Sequence, residues 1–461
     1  MSTDPTLFPD SEPRPADDQA DRPRPPAPSG PPRLRRPERD QVEMRTASLN
    51  ELLPPEHQAR AVWDFVQGLD VSPLLAEIRA VAHHPGQSAN DPRILLAVWL
   101  YATIDGIGSA REVARLCEAH IAYQWLCGGV SMSYKSLSDF RSSNTALLNE
   151  LLTENLAALM NEGLVEIQQV AQDGMRVRAH AGASSFRRQP TLQRCLDEAR
   201  AQVAALENQL HEDGGAATRR QQAARERAAK ERQQRLERAL RERDQLAELR
   251  AQQKREKGIK YDPNELRVST TDPEARRMKM PDGGTRPGYN VQLATTTESG
   301  IIVGVDVTNS GGDGGQLRPM VEQIAERSGQ KPQAMLVDGG FTTLDDIERV
   351  EQDGIKVYGP IKDEEKKKAK GIDPYQPGKK DGPGVSNWRA RMGTFEAKAI
   401  YRLRAQTAEW ANAGARNRGL YQVTVRGVHK VLAVVLLHAL AHNLLRAVAL
   451  RQEKESQAAA R

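Results

Sequence analysis

The sequence predicts an α/β protein, in which a mixed sheet is preceded by an all-helical domain and interrupted by a helical hairpin. Three observations indicate this. Apolar residues follow helical spacing before residue 165, a heptad pattern without aromatic residues occupies 191–258, and β-like runs dominate after Tyr261. With 461 residues, the chain is long enough for two or three domains.

Both ends are expected to be disordered. Residues 1–46 contain eleven of the 27 prolines, many charges and few large apolar side chains. Such a segment cannot bury enough apolar surface to fold alone. A second, short disordered tail is expected at 453–461.

Residues 47–165 predict a helical N-terminal domain. The stretch "PRILLAVWLYATIDGIG" is apolar enough for a buried helix. A later helix is expected to begin after Ser109, an N-cap residue with Glu112 three positions on as its capping-box partner.

The segment 191–258 predicts a coiled-coil-like insertion. Its apolar positions alternate in steps of four and three, which is a heptad seam, at Leu192, Leu196, Ala199, Val203, Leu206 and Leu210. Gly214 and Gly215 interrupt it, so an antiparallel helical hairpin is expected. A solvated spacer is the simpler interpretation, and an arm that tracks DNA or mediates dimerisation is the alternative.

The core is expected to comprise 166–190 and 259–452. The runs "YNVQLATTT" and "IIVGVDVTN" predict a β-hairpin, and "AMLVDGGF" and "IKVYGP" predict later strands separated by a helix.

Two predicted strands end in an isolated acid. "VAQDG" gives Asp173 and "MLVDGG" gives Asp338. The glycine after each acid permits a sharp turn and leaves room for a ligand. A carboxylate at the end of a buried strand needs a partner, and magnesium binds such hard oxygen ligands. Two metal ions about 3.5–4 Å apart at these acids would suit phosphodiester cleavage. The alternative is that each Asp-Gly pair forms an ordinary turn at the end of its strand.

A third acid is expected on a later helix, where Glu409 follows Tyr401 and Arg404 and precedes Arg416. Tyr401, Arg404 and Glu409 span a little over two helical turns, so they can lie near one face. The arginines would either clamp phosphates or form surface ion pairs. Glu396 is the first replacement should Glu409 lie elsewhere.

Together, "VAQDG", "VSTTDPEARRMK", "GYNVQ", "LVDGGF" and the Y-x2-R-x4-E-x6-R helix resemble the DDE transposases of bacterial insertion sequences, in the group with a YREK signature. The likeness spans roughly residues 47–450 and includes "GIGSAREVARLC" and "SLSDFRSSN". It departs from the signature at Arg416, which replaces lysine, and in the spacing between Arg404 and Glu409.

The resemblance implies an RNase H-like core in which Asp173, Asp338 and Glu409 are the catalytic acids. It also implies two Mg²⁺ ions, replaceable by Mn²⁺, and double-stranded DNA as partner, with a homodimer in the synaptic complex and a DNA-binding role for the helical domain.

Other polar residues have structural explanations. Asp272 precedes a proline and is expected to cap a loop, while Asp313 precedes a predicted helix and is expected to cap it. Either could instead support the acid site. His438 and His442 have a metal-binding spacing, but their apolar helix lacks an accompanying glutamate.

The clustering of basic residues agrees with a nucleic-acid partner. The cysteine and hydropathy patterns argue against a disulfide-stabilised protein and a membrane-spanning protein. The net charge of +5 is mild, but lysines cluster in "KDEEKKKAKG" and "PGKKDGPG". Trp388, among arginines, would stack on an unpaired base or pack in the core. Three scattered cysteines argue against a disulfide framework. The most apolar stretch, 431–450, is interrupted by His438, His442 and Arg446, so it falls short of a membrane span. A cytoplasmic protein without a membrane span is expected.

The resulting hypothesis is a transposase that cuts element ends and joins them to target DNA. A DNA-binding protein with a non-catalytic core and a nuclease without strand transfer are the alternatives.

Overall fold

The computed structural model describes residues 46–76, 78, 80, 88–209, 216–258 and 260–459. The predicted disordered arm lies outside this range except for its last residue, and so does the glycine turn at Gly214 and Gly215. The N-terminal region is helical, as predicted, with helices α1 Leu49–Leu52, α2 Gln58–Gln67, α3 Ser72–Ala76, α4 Pro92–Ile104, α5 Ala110–Ala119, α6 Ile121–Cys127, α7 Tyr134–Ser143 and α8 Thr145–Asn161.

The start of α5 shows how the sequence determines a helix end. The Ser109 side chain accepts a hydrogen bond from the Glu112 backbone N–H, at 3.5 Å. The Glu112 carboxylate pairs with Arg115 at 2.6 Å. The predicted cap is confirmed, but the glutamate stabilises the helix through an i,i+3 ion pair.

In the part of the chain that the structure describes, eight strands follow the helical region: β1 Gln169–Arg178, β2 Phe186–Arg187, β3 Val268–Ser269, β4 Arg276–Lys279, β5 Thr285–Thr296, β6 Ile302–Thr308, β7 Ala334–Leu336 and β8 Lys356–Tyr358. Six of them form one sheet in the order β4–β5–β1–β7–β8, with β6 also paired to β5. β5 is antiparallel to β1, β4 and β6, whereas β1, β7 and β8 are mutually parallel. The predicted mixed α/β architecture is confirmed.

The remaining helices are α9 Gln189–Gln209, α10 Ala216–Lys257, α11 Leu317–Ser328, α12 Leu344–Gln352, α13 Glu364–Ala369, α14 Pro383–Met392, α15 Phe395–Asn417 and α16 Val428–Ala459. Because α16 continues to Ala459, the predicted disordered tail is wrong over 453–459. Among the described residues, α16 alone has the length and hydropathy of a membrane span, but 67% of its apolar window is buried in the protein. It is therefore a core helix.

The main sheet is covered on both faces. Met175, Val177 and Val291 face a core that includes α4 and α16, while Ala294 and Val303 face a second core formed with α11, α12 and α14. Neighbouring strand residues point to opposite faces, so a sheet with two buried faces carries apolar residues at both parities.

Helices α9 and α10 pack together through the predicted seam. Leu196 and Ala199 of α9 are buried against Leu236 of α10. Closer to the sheet, however, Val268 of β3 packs into the seam with Leu192. The seam is therefore not self-contained, because its base also covers the β2–β3 ribbon.

Candidate active site

Strand pairing brings Asp173 and Asp338 together. In the parallel pair of β1 and β7, Gln169 lies opposite Ala334 and Ala171 lies opposite Leu336. The observed pairing ends there, two residues before Asp173 and Asp338. The Arg404 guanidinium contacts both carboxylates, so the two acids are neighbours.

The two acids differ in their strand context. Asp338 follows the end of β7, as predicted, but Asp173 lies in the middle of β1, which continues to Arg178 by pairing with β5. The prediction of a strand-end position is therefore wrong for Asp173. Long antiparallel pairing with β5 extends β1 beyond the point where its parallel partner stops.

Helix α15 supplies polar partners to this acid pair. Arg404 Nη2 lies 3.1 Å from Asp173 Oδ1 and 3.8 Å from Asp338 Oδ2, so one guanidinium serves both carboxylates. Asn412 donates from Nδ2 to Asp173 Oδ2 at 2.8 Å. Arg404 and Asn412 are eight residues apart, which returns them to the same side of a helix.

The pair places two carboxylates close together in a partly buried position. Burial raises the pKa of Asp173, the Arg404 charge opposes this shift, and the charges of Asp338 and Asp313 add to it. Burial also raises the pKa of Tyr401, which is close enough for Arg404 and both acids to influence it. Like charges held together in a partly desolvated site are stabilised by a positive ligand.

Glu409 occupies an exposed position on α15. It lies three residues before Asn412, and residues at this spacing are neighbours on a helix surface. Its carboxylate makes no hydrogen bond or ion pair with other described residues. The structure therefore joins the two aspartates and leaves Glu409 at the rim. Glu396 is exposed near the start of α15, where its charge acts on Tyr358 at the end of β8.

Asp313 lies near the two acids, although the sequence predicts that it caps a helix. Helix α11 begins after Gln316 without a side-chain cap, so the predicted capping role of Asp313 is wrong. The buried Asp313 carboxylate instead accepts hydrogen bonds from Asn290 at 2.7 Å, Gln292 at 2.9 Å and Arg176 at 2.8 Å. The alternating polar residues in "YNVQ" were the available signal, because buried polar side chains need partners.

Asp272 has a structural role elsewhere in the fold. It is fully buried, and both of its oxygens lie 2.8 Å from the Tyr289 hydroxyl. It also accepts from the Gly427 backbone N–H, at 3.1 Å, just before α16 begins. The predicted loop cap is thus a link between β5 and the start of α16.

Three further predictions concerned aromatic, basic and histidine side chains. Trp388 is 2% exposed and belongs to the second core, which contradicts a base-stacking role and supports the alternative of core packing. Arg416 is exposed in the last turn of α15. His442 lies 2.9 Å from the Gly300 carbonyl through Nε2, and burial lowers its pKa to about 4.

The acid pair suits a divalent cation whose remaining ligands come from elsewhere. Within the described ranges, no group of three or more His, Cys, Asp or Glu residues is arranged to hold a metal ion. Two adjacent carboxylates are nevertheless an appropriate donor set for Mg²⁺, which commonly takes one or two protein carboxylates plus water and substrate phosphates.

Two family models match the chain. A family model described as "Transposase DDE domain" matches residues 253–444, and one described as "Transposase domain (DUF772)" matches residues 47–143. The first match includes Asp338 and Glu409, whereas Asp173 precedes it. No curated protein and no solved structure matches the chain. The two family models thus indicate a DDE transposase of insertion-sequence type, with a DDE domain over residues 253–444 and a second transposase domain over residues 47–143.

Proposed function

We propose that the protein is a metal-dependent DNA transposase that cleaves at the ends of its insertion sequence and joins the freed 3′-hydroxyl to target DNA. The observation that carries this proposal is the position of Asp173 and Asp338, which lie side by side and share the Arg404 guanidinium. The matches to transposase domains supply the reaction class, and this acid pair supplies the candidate reaction centre.

In this proposal Asp173, Asp338 and Glu409 hold the divalent cations. Glu409 lies within one helical turn of Asn412, whose side chain contacts Asp173, so it can approach the pair from the rim. Bound Mg²⁺, or Mn²⁺ in its place, would activate the attacking oxygen and stabilise the departing 3′-oxygen.

The basic residues of α15 have a separate role, which is to position DNA. Arg404 directs Nη2 toward the acids, and its other terminal nitrogen can donate to a phosphate oxygen beside them. Tyr401 lies near the same acids, and Arg416 extends the positive surface from the C-terminal turn. These contacts would orient the DNA backbone without reading its sequence.

The proposal also covers the fold of the catalytic core, the role of the N-terminal helices and the assembly of the protein. The antiparallel β1–β5–β6 group, followed by the parallel strands β7 and β8, supports an RNase H-like core. The assignment to the YREK group rests on the spacing of Tyr401, Arg404, Glu409 and Arg416 in the sequence. We assign DNA binding to the N-terminal helices and expect a homodimer at synapsis in the cytoplasm.

Strand transfer is the decisive test. Full-length protein is incubated with Mg²⁺, a supercoiled target plasmid and a DNA fragment that spans the reading frame and its flanks. We expect cleavage at the element ends and their joining to the plasmid, and neither product with Asp173→Asn. Cleavage without joining would identify a nuclease, while DNA binding without cleavage would identify a non-catalytic core.

A further inference from the structure

Asp313 approaches the acid pair from the opposite face of the sheet. In the β1–β5 ladder, Asp173 lies opposite Leu293 and Gly174 lies opposite Gln292. Adjacent strand residues point to opposite faces, so Gln292 and Asp173 are on different faces. Since Gln292 donates to Asp313 while α15 covers Asp173, Asp313 lies behind the site.

Gly174 and Gly340, near the two acids, leave space that the Asp313 side chain occupies. A Cβ atom on Gly174 would lie 2.2 Å from Asp313 Oδ1, which is an impossible contact. A Cβ atom on Gly340 would lie 3.0 Å from Asp338 Oδ1 and 3.2 Å from Asp313 Oδ2. Gly174 lies within a paired strand, so close approach by Asp313, and not a turn, explains this glycine.

The segment that carries Asp313 also supports the loop that carries Asp338. A Cβ atom on Gly314 would lie 3.0 Å from Thr343 Cγ2, in the loop between β7 and α12. Arg176 of β1 holds the other side of Asp313 through its 2.8 Å ion pair, in which the two side chains are 20% and 8% exposed. Asp313 thus contacts both the strand of Asp173 and the loop of Asp338.

We propose that Asp313 is a positioning residue of the active site, which fixes β1 and the loop after β7 so that Asp173 and Asp338 present their carboxylates to the same divalent cation. Its own carboxylate is fixed by Asn290, Gln292 and Arg176 and does not touch the cation. This inference rests on the proposed function, because it assumes that the acid pair binds metal.

The test measures Mn²⁺ binding to the full-length protein by isothermal titration calorimetry. Asp313→Asn keeps the size of the side chain but turns an amide toward the donors that hold it. We expect Mn²⁺ affinity to fall by about tenfold or more, as for other residues that orient metal ligands. Asp272→Asn is the matched control, since it changes a buried, hydrogen-bonded aspartate away from the acids and should lower thermal stability with Mn²⁺ affinity unchanged.

Gly174→Ala provides a second variant in which every charge is retained. It displaces Asp313 sterically, so it should also weaken Mn²⁺ binding. Its control is Gly304→Ala in β6, where a Cβ atom would lie 2.4 Å from Met320 Sδ, away from the acids. That substitution should affect stability and leave Mn²⁺ affinity unchanged.

The measurements test the positioning role of Asp313 separately from the proposed metal dependence. Wild-type protein without Mn²⁺ binding would overturn the proposed metal dependence, and the inference with it. Mn²⁺ binding by wild type that is unchanged in folded Asp313→Asn or in folded Gly174→Ala would overturn the positioning role alone.

Discussion

Asp173 is a half-buried aspartate and Asp272 is a fully buried one, and their surroundings differ. Asp272 is fully buried, and neutral donors from Tyr289 and Gly427 satisfy it. The Asp173 side chain is 17% exposed and shares a single guanidinium with Asp338. Burial raises the pKa of both carboxyl groups. The main influence that opposes this shift is hydrogen bonding by Tyr289 at Asp272 and the positive charge of Arg404 at Asp173.

This difference distinguishes Asp272, a structural acid, from Asp173, which is proposed to bind metal. At Asp272 the protein supplies neutral donors that join β5 to α16, so the site is complete without a ligand. At Asp173 the protein places a second acid alongside, and the two share one arginine. Burial raises the pKa of both aspartates, so the feature that distinguishes Asp173 is that it shares one arginine with a second acid.

The largest expected effect is loss of activity when an acid of the pair is neutralised. Asp173→Asn or Asp338→Asn should lower DNA cleavage by about 10³-fold or more, with little loss of thermal stability, because the pair is proposed to bind metal and not to hold the fold together. A gel-based cleavage assay and a melting curve measure the two effects.

The same assay distinguishes the third acid. Glu409→Gln should abolish cleavage, whereas Glu396→Gln, on the same helix, should not. The reverse result would assign the third carboxylate to Glu396.

Asp272→Ala should have the opposite pattern, because this acid has a structural role. It leaves the Tyr289 hydroxyl and the Gly427 N–H buried without their acceptor, so the free energy of unfolding should fall by about 2–4 kcal/mol. Chemical denaturation measures it. Wild-type stability in this variant would show that the network does not hold the start of α16.

The arginines of α15 should affect DNA affinity next. If Arg404 and Arg416 each contact a phosphate, replacing either with alanine should weaken binding to all DNA sequences equally and reduce the salt dependence by about one unit per contact. Binding titrations over a range of salt concentrations measure this. Loss of affinity for one sequence alone would instead indicate base recognition.

The pH dependence of stability should distinguish Asp173 from its asparagine variant. Because the pKa of Asp173 is raised in the folded state, the ionised carboxylate destabilises the native protein at neutral pH. This penalty should disappear as the pH falls through the raised pKa toward the ordinary aspartate value. The stability of wild type relative to Asp173→Asn should therefore increase on acidification in EDTA. A relative decrease would mean that Arg404 stabilises the carboxylate overall.

The smallest expected effect on stability concerns the distal part of the α9–α10 hairpin. Its ion pair between Lys230 and Glu207 is exposed, and such pairs contribute about 0–1 kcal/mol. Replacing residues 205–230 with a short glycine linker should leave a cooperative transition near the wild-type temperature. Removing all of 191–258 should lower that temperature further, because it uncovers Val268.

DNA binding by the distal deletion then decides between the two interpretations of the hairpin. Weaker binding or altered assembly would support an arm, and unchanged transposition would support a spacer. Loss of the cooperative transition in the distal deletion would contradict the limited role assigned to these contacts.

Much of the element order could be predicted from local pattern. Helical spacing located the N-terminal helices, the heptad positions located α9, and two apolar runs located β5 and β6. Predictions for single residues were less accurate where distant segments decide the contacts. Trp388 lies among arginines in sequence, but its helix turns the indole into the core.

The chain by itself determined the positions of Asp173 and Asp338 after apolar runs, because β-strands have a local signature that requires no knowledge of their neighbours. Tertiary structure decided which strands are adjacent, and hence that these two acids lie side by side under Arg404. It also decided that Asp313 supports the site while Asp272 supports a helix. Both aspartates precede a predicted local feature in sequence, and only contacts with residues distant along the chain distinguish their roles.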